Sequence, residues 1–479
     1  CVNLMQMGIV RENDPLIPSF QKRANDFFER FPESVFFRRI EFDDSNPSGV
    51  IDQVKMLTGI TDERNAERVK VRRQIRSRKL PVPYFMLNRF LPDVKDLFSA
   101  WSRQISYAEC ASEYKVFRNR NNKITLGEHF KRKNKVLFDQ TSLLVLSDIG
   151  ILDLVLDSMP GICMIRDDYE KIIELAHPIF GSLSSWLPEK IKASLSKRLG
   201  RITFLALPDE ENNLPDNIAS LIEEDDLLFC TDDSFVSLFV NKNDYTINSD
   251  DILLYLVDTR KIDESQFFDA YTSLCNLGME NITPCLQALH LLTDFYISEV
   301  RSGNQDKELA KAFLSVIDAA TSQLHSDQAV IEWYASFFSI YLNQGKQAES
   351  ATSLYGLLVR MLFRLQRINR NEALARWFVY ACHATDYKEL SEFLKCGIWQ
   401  HEYFSVVKDL YGQDWNKNRF FYFVSKVICE RSEIESSDIF DKVRLSVVEG
   451  TDDSELLARV YTQTVLQTRL NEANKASTN

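Results

Sequence analysis

The sequence predicts an α/β domain with a central parallel sheet, set between a mixed N-terminal region and an all-helical C-terminal array. Three observations predict it. Between residues 130 and 260, short apolar runs alternate with stretches at helical spacing, the pattern of β-α units that feed a parallel sheet. From about Asp263 to Ala473 the strand-like runs stop and long amphipathic segments follow one another. Glycine and proline number only 15 and 13 in 479 residues, too few for an all-β protein full of tight turns.

The elements follow in order. In residues 1–125, "SFQKRANDFFERFPESVFFRRIEF" suggests a helix and a short strand, and "FDDSNPSGV" has the residues of a loop. "DERNAERVKVRRQIRSRKLPVPYF" predicts a helix closed by Pro81 and Pro83, and "DVKDLFSAWSRQISYAECASEYKVF" predicts another. "RNRNNK", residues 118–123, looks like a polar linker and marks the first boundary. Beyond it "KVLFD" is a strand, "SLLVLSDIGILDLVLDS" a leucine-rich helix, and "GICMI" a second strand with "RDDYEKIIELAHPIF" as its helix. "RITFLAL" and "DLLFCTDD" add two more strands. This domain spans 130–290. Successive helices fill 291–473, among them "DKELAKAFLSVIDAATSQL", "SDQAVIEWYASFFSIYLNQ", "QAESATSLYGLLVRMLFRLQRI" and "NEALARWFVYACHAT". Several start on Ser, Asp or Asn, which cap helix N-termini well. They form an irregular, repeat-like array with no tetratricopeptide consensus. Residues 474–479 read as a disordered tail.

The net charge of −12 and pI near 5.2 argue against a surface that grips nucleic acid all over. A local basic patch survives that argument: residues 64–79 carry Arg72, Arg73 and Arg76 among several other bases, with Glu67 the one acid. These three arginines are candidate nucleic-acid contacts, although a solvated or partner-binding helix face explains them as well. "KRKNK", residues 131–135, is a second basic stretch. Nine scattered cysteines without zinc spacing read as reduced thiols of a cytoplasmic protein. No apolar run approaches the ~18 residues of a membrane helix. The chain begins on Cys1, which suggests a segment of a longer polypeptide.

Two predicted strands end in acids, Asp139 after "KVLF" and Asp232 with Asp233 after "LLFCT". Glu170 falls in the helix after "GICMI". In open parallel sheets ligands collect at the carboxyl ends of the strands. Three carboxylates gathered there repel one another unless they share cations, and oxygen-only ligands suit Mg²⁺ or Mn²⁺. Each acid also has a structural reading: Asp139 as the cap of the helix behind it, Asp232 and Asp233 as caps of "SFVSLFV", and Glu170 as surface charge. Other chemistries find no support. Neither GxxxxGK[ST] nor GxGxxG occurs, the six histidines form no HxxxH or HxH pair, and Cys382 and His383 are neighbours that diverge on a helix.

The order of these elements resembles the PIN domain family. Asp139 is followed by Thr141, Ser142 and Leu143; Glu170 (or Glu174, one turn on) lies on the helix after the next strand; "TDD" closes a later strand; and "NDYTINSDDILLYLVDTRKIDESQFFDAY" resembles the last strand and closing helix. The resemblance covers about 130 to 290. It implies a compact three-layer nuclease fold, with Asp139, Glu170, Asp232 and Asp233 as catalytic acids and Asp139, Glu170, Asp232 and Asp216 as metal ligands. The family's further acid has no clear match: Asp216 is the best candidate, with Asp225, Asp226, Asp250 and Asp251 as alternatives. The activity implied is hydrolysis of phosphodiester bonds with Mg²⁺ or Mn²⁺, on RNA ahead of DNA, in a regulated or defence-type role. The helical region would bind a protein partner or a second copy. The competing expectation is a scaffold whose PIN-like site has been lost, its acids dispersed or neutralised by Arg or Lys.

Overall fold

The computed structural model describes residues 62–91, 94–106, 112–118, 135–176, 186–207, 214–224, 226–240, 245–303, 307–344, 370–385, 417–430, 439–444 and 455–466, with isolated helical positions in 22–30 and 354–362. The helix-strand reading of the first 45 residues, the loop "FDDSNPSGV", residues 119–123 and 131–134, most of "QAESATSLYGLLVRMLFRLQRI" and the tail lie outside the described residues. The chain divides into two compact units, Cys1–Leu80 and Pro81–Asn479. In the first, helix α1 (Asp62–Arg76) starts on acids and ends on Arg73 and Arg76, an order that suits the helix dipole. Arg72, Arg73 and Arg76 are all exposed on it.

The second unit begins with a helical turn at Tyr84–Met86, continued through Leu87–Phe90, and helix α2 (Leu97–Ser106). Residues 81–118, read with the N-terminal region in the sequence, belong to this unit. Its centre is a sheet of five strands: β1 (Val136–Phe138), β2 (Ile162–Ile165), β3 (Ile202–Leu205), β4 (Leu228–Cys230) and β5 (Thr246–Ile247). All neighbours are parallel, in the order β3-β2-β1-β4-β5. The central strands are buried on both faces, which is why they read as unbroken apolar runs.

Leu137, Cys163, Ile165 and Phe229 point to one face, where they meet Ile218 and Ile222 of α7 (Leu214–Glu224) and Val236 and Val240 of α8 (Ser234–Val240). Side chains alternate along a strand, so Val136, Phe138, Met164 and Cys230, equally buried, turn to the other face. There α3 (Gln140–Asp148) meets α6 (Trp186–Ser196) and α9 (Ser249–Asp258), and α6 meets α5 (Arg166–Leu175). Helices therefore cover both faces of the sheet.

One predicted helix is two. "SLLVLSDIGILDLVLDS" breaks into α3 and α4 (Leu152–Ser158) at Gly150, whose φ is +82°. Ile151 N–H bonds Leu146 O and Gly150 N–H bonds Ser147 O, a left-handed C-terminal cap that glycine adopts without a Cβ clash.

Beyond β5 the described residues are helical: α10 (Glu264–Asn276), α11 (Leu286–Arg301), α12 (Lys307–Thr321), α13 (Asp327–Asn343), α14 (Arg370–Ala384) and α15 (Lys417–Cys429). Asp263 and Ser326 cap α10 and α13 through their side chains. α13 packs on α14 and α14 on α15. Among the described residues, no helix is long and apolar enough to cross a membrane, and the six described cysteines are free thiols.

Candidate functional site

The strand order reverses at β1. The chain steps outward from β1 to β2 and β3, then returns to the other side of β1 as β4. The crevice at the carboxyl ends of β1 and β4 is the place where such sheets bind ligands, and Asp139 stands in it. Its backbone is extended and its carboxylate caps α3: Oδ1 accepts from Ser142 N–H at 2.7 Å, and Oδ2 accepts from the Thr231 hydroxyl at 2.6 Å. The Asp233 N–H donates to that same hydroxyl oxygen at 3.1 Å, which leaves the Thr231 proton for Asp139. Ser142 Oγ donates to Cys230 O at 3.0 Å and ties α3 to β4. Burial pushes the Asp139 carboxyl up to about 7, against the pull of its hydrogen bonds from Thr231 and Ser142.

Asp139 lines a pocket of about 300 Å³ at these strand ends. The β2–α5 junction contributes Asp167, Asp168 and Lys171 to the same wall. Asp168 accepts a hydrogen bond at 2.5 Å from Gln140 Nε2, and burial raises its carboxyl to about 6. Gln140 thus bridges the two acid-bearing loops. Its Oε1 and the Thr141 hydroxyl are buried with no hydrogen-bond partner, and both residues line the pocket. Asn88 and Arg89 arrive from the segment after Pro83, and Phe85, Ile165 and Phe229 supply apolar wall. Neither Arg89 nor Lys171 forms an ion pair among the described residues.

The other expected acids lie elsewhere. Glu170 is exposed and does not line the pocket. The reason is helical phase relative to Asp168: Lys171 follows it by three residues and shares its face, whereas Glu170, two residues after it, falls on the opposite side of the helix. Glu174 is exposed as well. Asp232 is 1% exposed and does not line the pocket; it accepts from Ser249 N–H at 3.2 Å and from the Ser249 hydroxyl. Arg118 Nε lies 3.0 Å from it, and the guanidinium also pairs with Asp250. Burial raises the Asp232 carboxyl while Arg118 opposes the rise. Arg118, read in the sequence as part of a linker, is a buried counter-ion, and its N–H bonds Glu280 O at 2.9 Å.

Asp233 is also fully buried and serves backbone amides. Oδ1 accepts from Phe235 N–H at 3.0 Å, and Oδ2 accepts from Tyr84 N–H. It anchors the start of the segment that carries Phe85 and Arg89 to the pocket. Asp216 falls on α7, with its side chain outside the described residues, as is Asp225. Asp226 is exposed in the turn before β4 at φ +54°, and Asp251 closes the capping box of α9 with Asn248. The four-acid set is therefore not assembled. Among the described residues no three His, Cys, Asp or Glu side chains converge as a metal site. Asp139, held by Thr231, and Asp168, held by Gln140, line the same pocket. Thr231 was legible as the hydroxyl of "TDD", and Asp168 as the acid that shares a helical face with Lys171.

No protein-family model, curated protein or solved structure matches the chain.

Proposed function

We propose that the α/β unit is a PIN-like metal-dependent nuclease whose site is reduced to Asp139 and Asp168, acting on RNA ahead of DNA. The observation that carries this reading is one pocket at the switch point lined by two carboxylates, Asp139 and Asp168, together with the cations Arg89 and Lys171. The donor set fits a hard divalent cation. Mg²⁺ is commonly held through one or two carboxylates and keeps much of its water. Asp139 and Asp168 would hold it, and the amide oxygen of Gln140, buried without a partner, is a third hard donor. Such an ion supplies Lewis-acid activation of water and charge neutralisation at a phosphodiester.

The chain's own groups then divide the work. Asp139, in the wall of the pocket, would orient the attacking water and accept its proton at the carboxylate. Thr231 and Ser142 fix the direction of that carboxylate. Arg89 and Lys171 offer positive charge to phosphate oxygens, and the exposed arginines of α1 are candidate contacts for the polymer.

The test is cleavage of labelled single-stranded RNA and DNA with Mn²⁺ or Mg²⁺. Asp139→Asn and Asp168→Asn should each lose at least about a hundredfold in rate, the usual scale for a positioned acid or base, whereas Glu170→Gln should cut like wild type. Wild type as inert as Asp139→Asn would refute the reading. A second reading, a non-catalytic scaffold for protein partners or a second copy, is favoured by one observation: Arg118 neutralises Asp232 where a metal ligand was expected.

A further inference from the structure

The pocket has two ends of different chemistry. One end is apolar and continuous with the core: Ile165, Ile218, Phe229 and Val236 line it and belong to the cluster between the sheet and α7 and α8. Phe85, partly exposed, packs on that cluster and borders the cavity. The other end carries Arg89, which is exposed, and Lys171, which is half-buried, beside Asp139 and Asp168. A site that held only an ion and a phosphate would have no use for the apolar half. The space for a ligand is about 300 Å³, at the lower limit of small-ligand pockets and on the scale of one small unit of a polymer. The Thr141 hydroxyl, in a residue 1% exposed in the same wall, has no hydrogen-bond partner among the described residues, as expected of a group left for a ligand.

We infer that this pocket binds a single nucleotide unit, its base against Phe85 and its phosphate toward Arg89 and Lys171. The inference rests on the phosphodiester reading and deepens it: the enzyme would engage its polymer by one nucleotide drawn out of the strand, and free mononucleotides would occupy the same place. Aromatic walls accept any base through its π-face, so the preference among bases is modest. The phosphate end supplies the affinity that a bare nucleoside lacks.

Calorimetric titration of the full chain with AMP, CMP, GMP and UMP in Mg²⁺, alongside adenosine and ribose 5-phosphate, tests it. Mononucleotides should bind, and both fragments should bind at least about tenfold more weakly, the factor expected when a charged hydrogen bond or a stacked base is lost. The double variant Arg89→Ala/Lys171→Ala should weaken mononucleotides and leave adenosine unchanged. Phe85→Ala should weaken mononucleotides and leave ribose 5-phosphate unchanged. Ribose 5-phosphate binding as tightly as a mononucleotide, or no binding by any of them, would overturn the inference. Polymer cleavage without mononucleotide binding sinks this proposal and spares the nuclease. Mononucleotide binding without cleavage of any polymer does the reverse.

Discussion

Asp139 combines two demands that oppose each other. As the cap of α3 it needs an acceptor oxygen, which Asn supplies as well as Asp. As a carboxylate it is held in a place that disfavours its charge, because burial lifts its pKa from an ordinary 3.8 to about 7. The folded state therefore holds the proton more tightly than the unfolded chain. Stability from this group is fully present below pH 4 and is lost as pH rises through 7. Asp139→Asn removes that loss, so the variant should match wild type near pH 4. By pH 8 it should exceed wild type by about 1–3 kcal/mol, an allowance for partial exposure included. Thermal melts across that range decide it, and a variant less stable at pH 8 would show that the site is not under electrostatic strain. The neighbouring acids teach a different lesson. In "TDD" three adjacent side chains serve three structures: Thr231 reaches Asp139, Asp232 reaches Arg118 and Ser249, and Asp233 reaches Tyr84. The sequence shows that an acid ends the strand. It does not show which way each acid turns, because the partners come from residues 84, 118 and 249, far away in the chain.

At the scale of elements, the alternation of strand and helix was legible because buried parallel strands are short apolar runs and their helices keep a helical period. Four strands lie where the apolar runs placed them, and the fifth, Thr246–Ile247, falls in the segment that the family resemblance gave as the last strand. The exceptions have local causes: a glycine cap splits α3 from α4, and residues 112–118, polar at their end, join the α/β unit through Arg118. The segment after Pro83 was not legible as part of a site, since nothing in "PYFMLNRF" signals a ligand wall. Its attachment can be tested. Tyr84 N–H bonds Asp233, and Met86 N–H bonds Pro83 O at 2.9 Å to form the turn that presents Phe85 and Arg89. Asp233→Ala removes the acceptor. The Tyr84 amide should then exchange with deuterium at least about tenfold faster, an increase that corresponds to loss of one buried bond, while Leu137 in β1 stays protected. Unchanged exchange at Tyr84 would mean that the wall is held by its apolar contacts alone.

At the scale of the molecule, residues 81–479 make one compact unit with more chain than a single core serves. The sheet has its own core, and the helices gather a second one. Trp377 of α14 is wholly buried and lies 5.5 Å from the Phe338 ring of α13. Ser339 Oγ donates to Ala381 O, and Thr385 Oγ1 donates to Ser339 Oγ at 3.0 Å. The two cores are joined by a chain of contacts: α10 touches α9, α11 and α12, and α13 reaches back to α11 through Tyr341 Oη and Asp294 at 2.9 Å. The contacts of α10 are apolar, with the Phe268 ring 5.0 Å from that of Phe295 of α11, so the break is expected beyond α12, and local unfolding of α13 and α14 should leave the sheet standing. Trp377→Ala opens a large cavity in the second core and should destabilise it by about 3–5 kcal/mol. Urea titration followed by hydrogen exchange should show α14 amides losing protection at lower denaturant while Leu137 and Phe229 hold theirs. The proposed cleavage, carried by β1 and β2, should survive in the same urea range. Parallel loss of protection in α14 and β1 would instead make the array an integral part of the sheet's fold, with the nuclease reading then bound to the whole unit rather than to its α/β half.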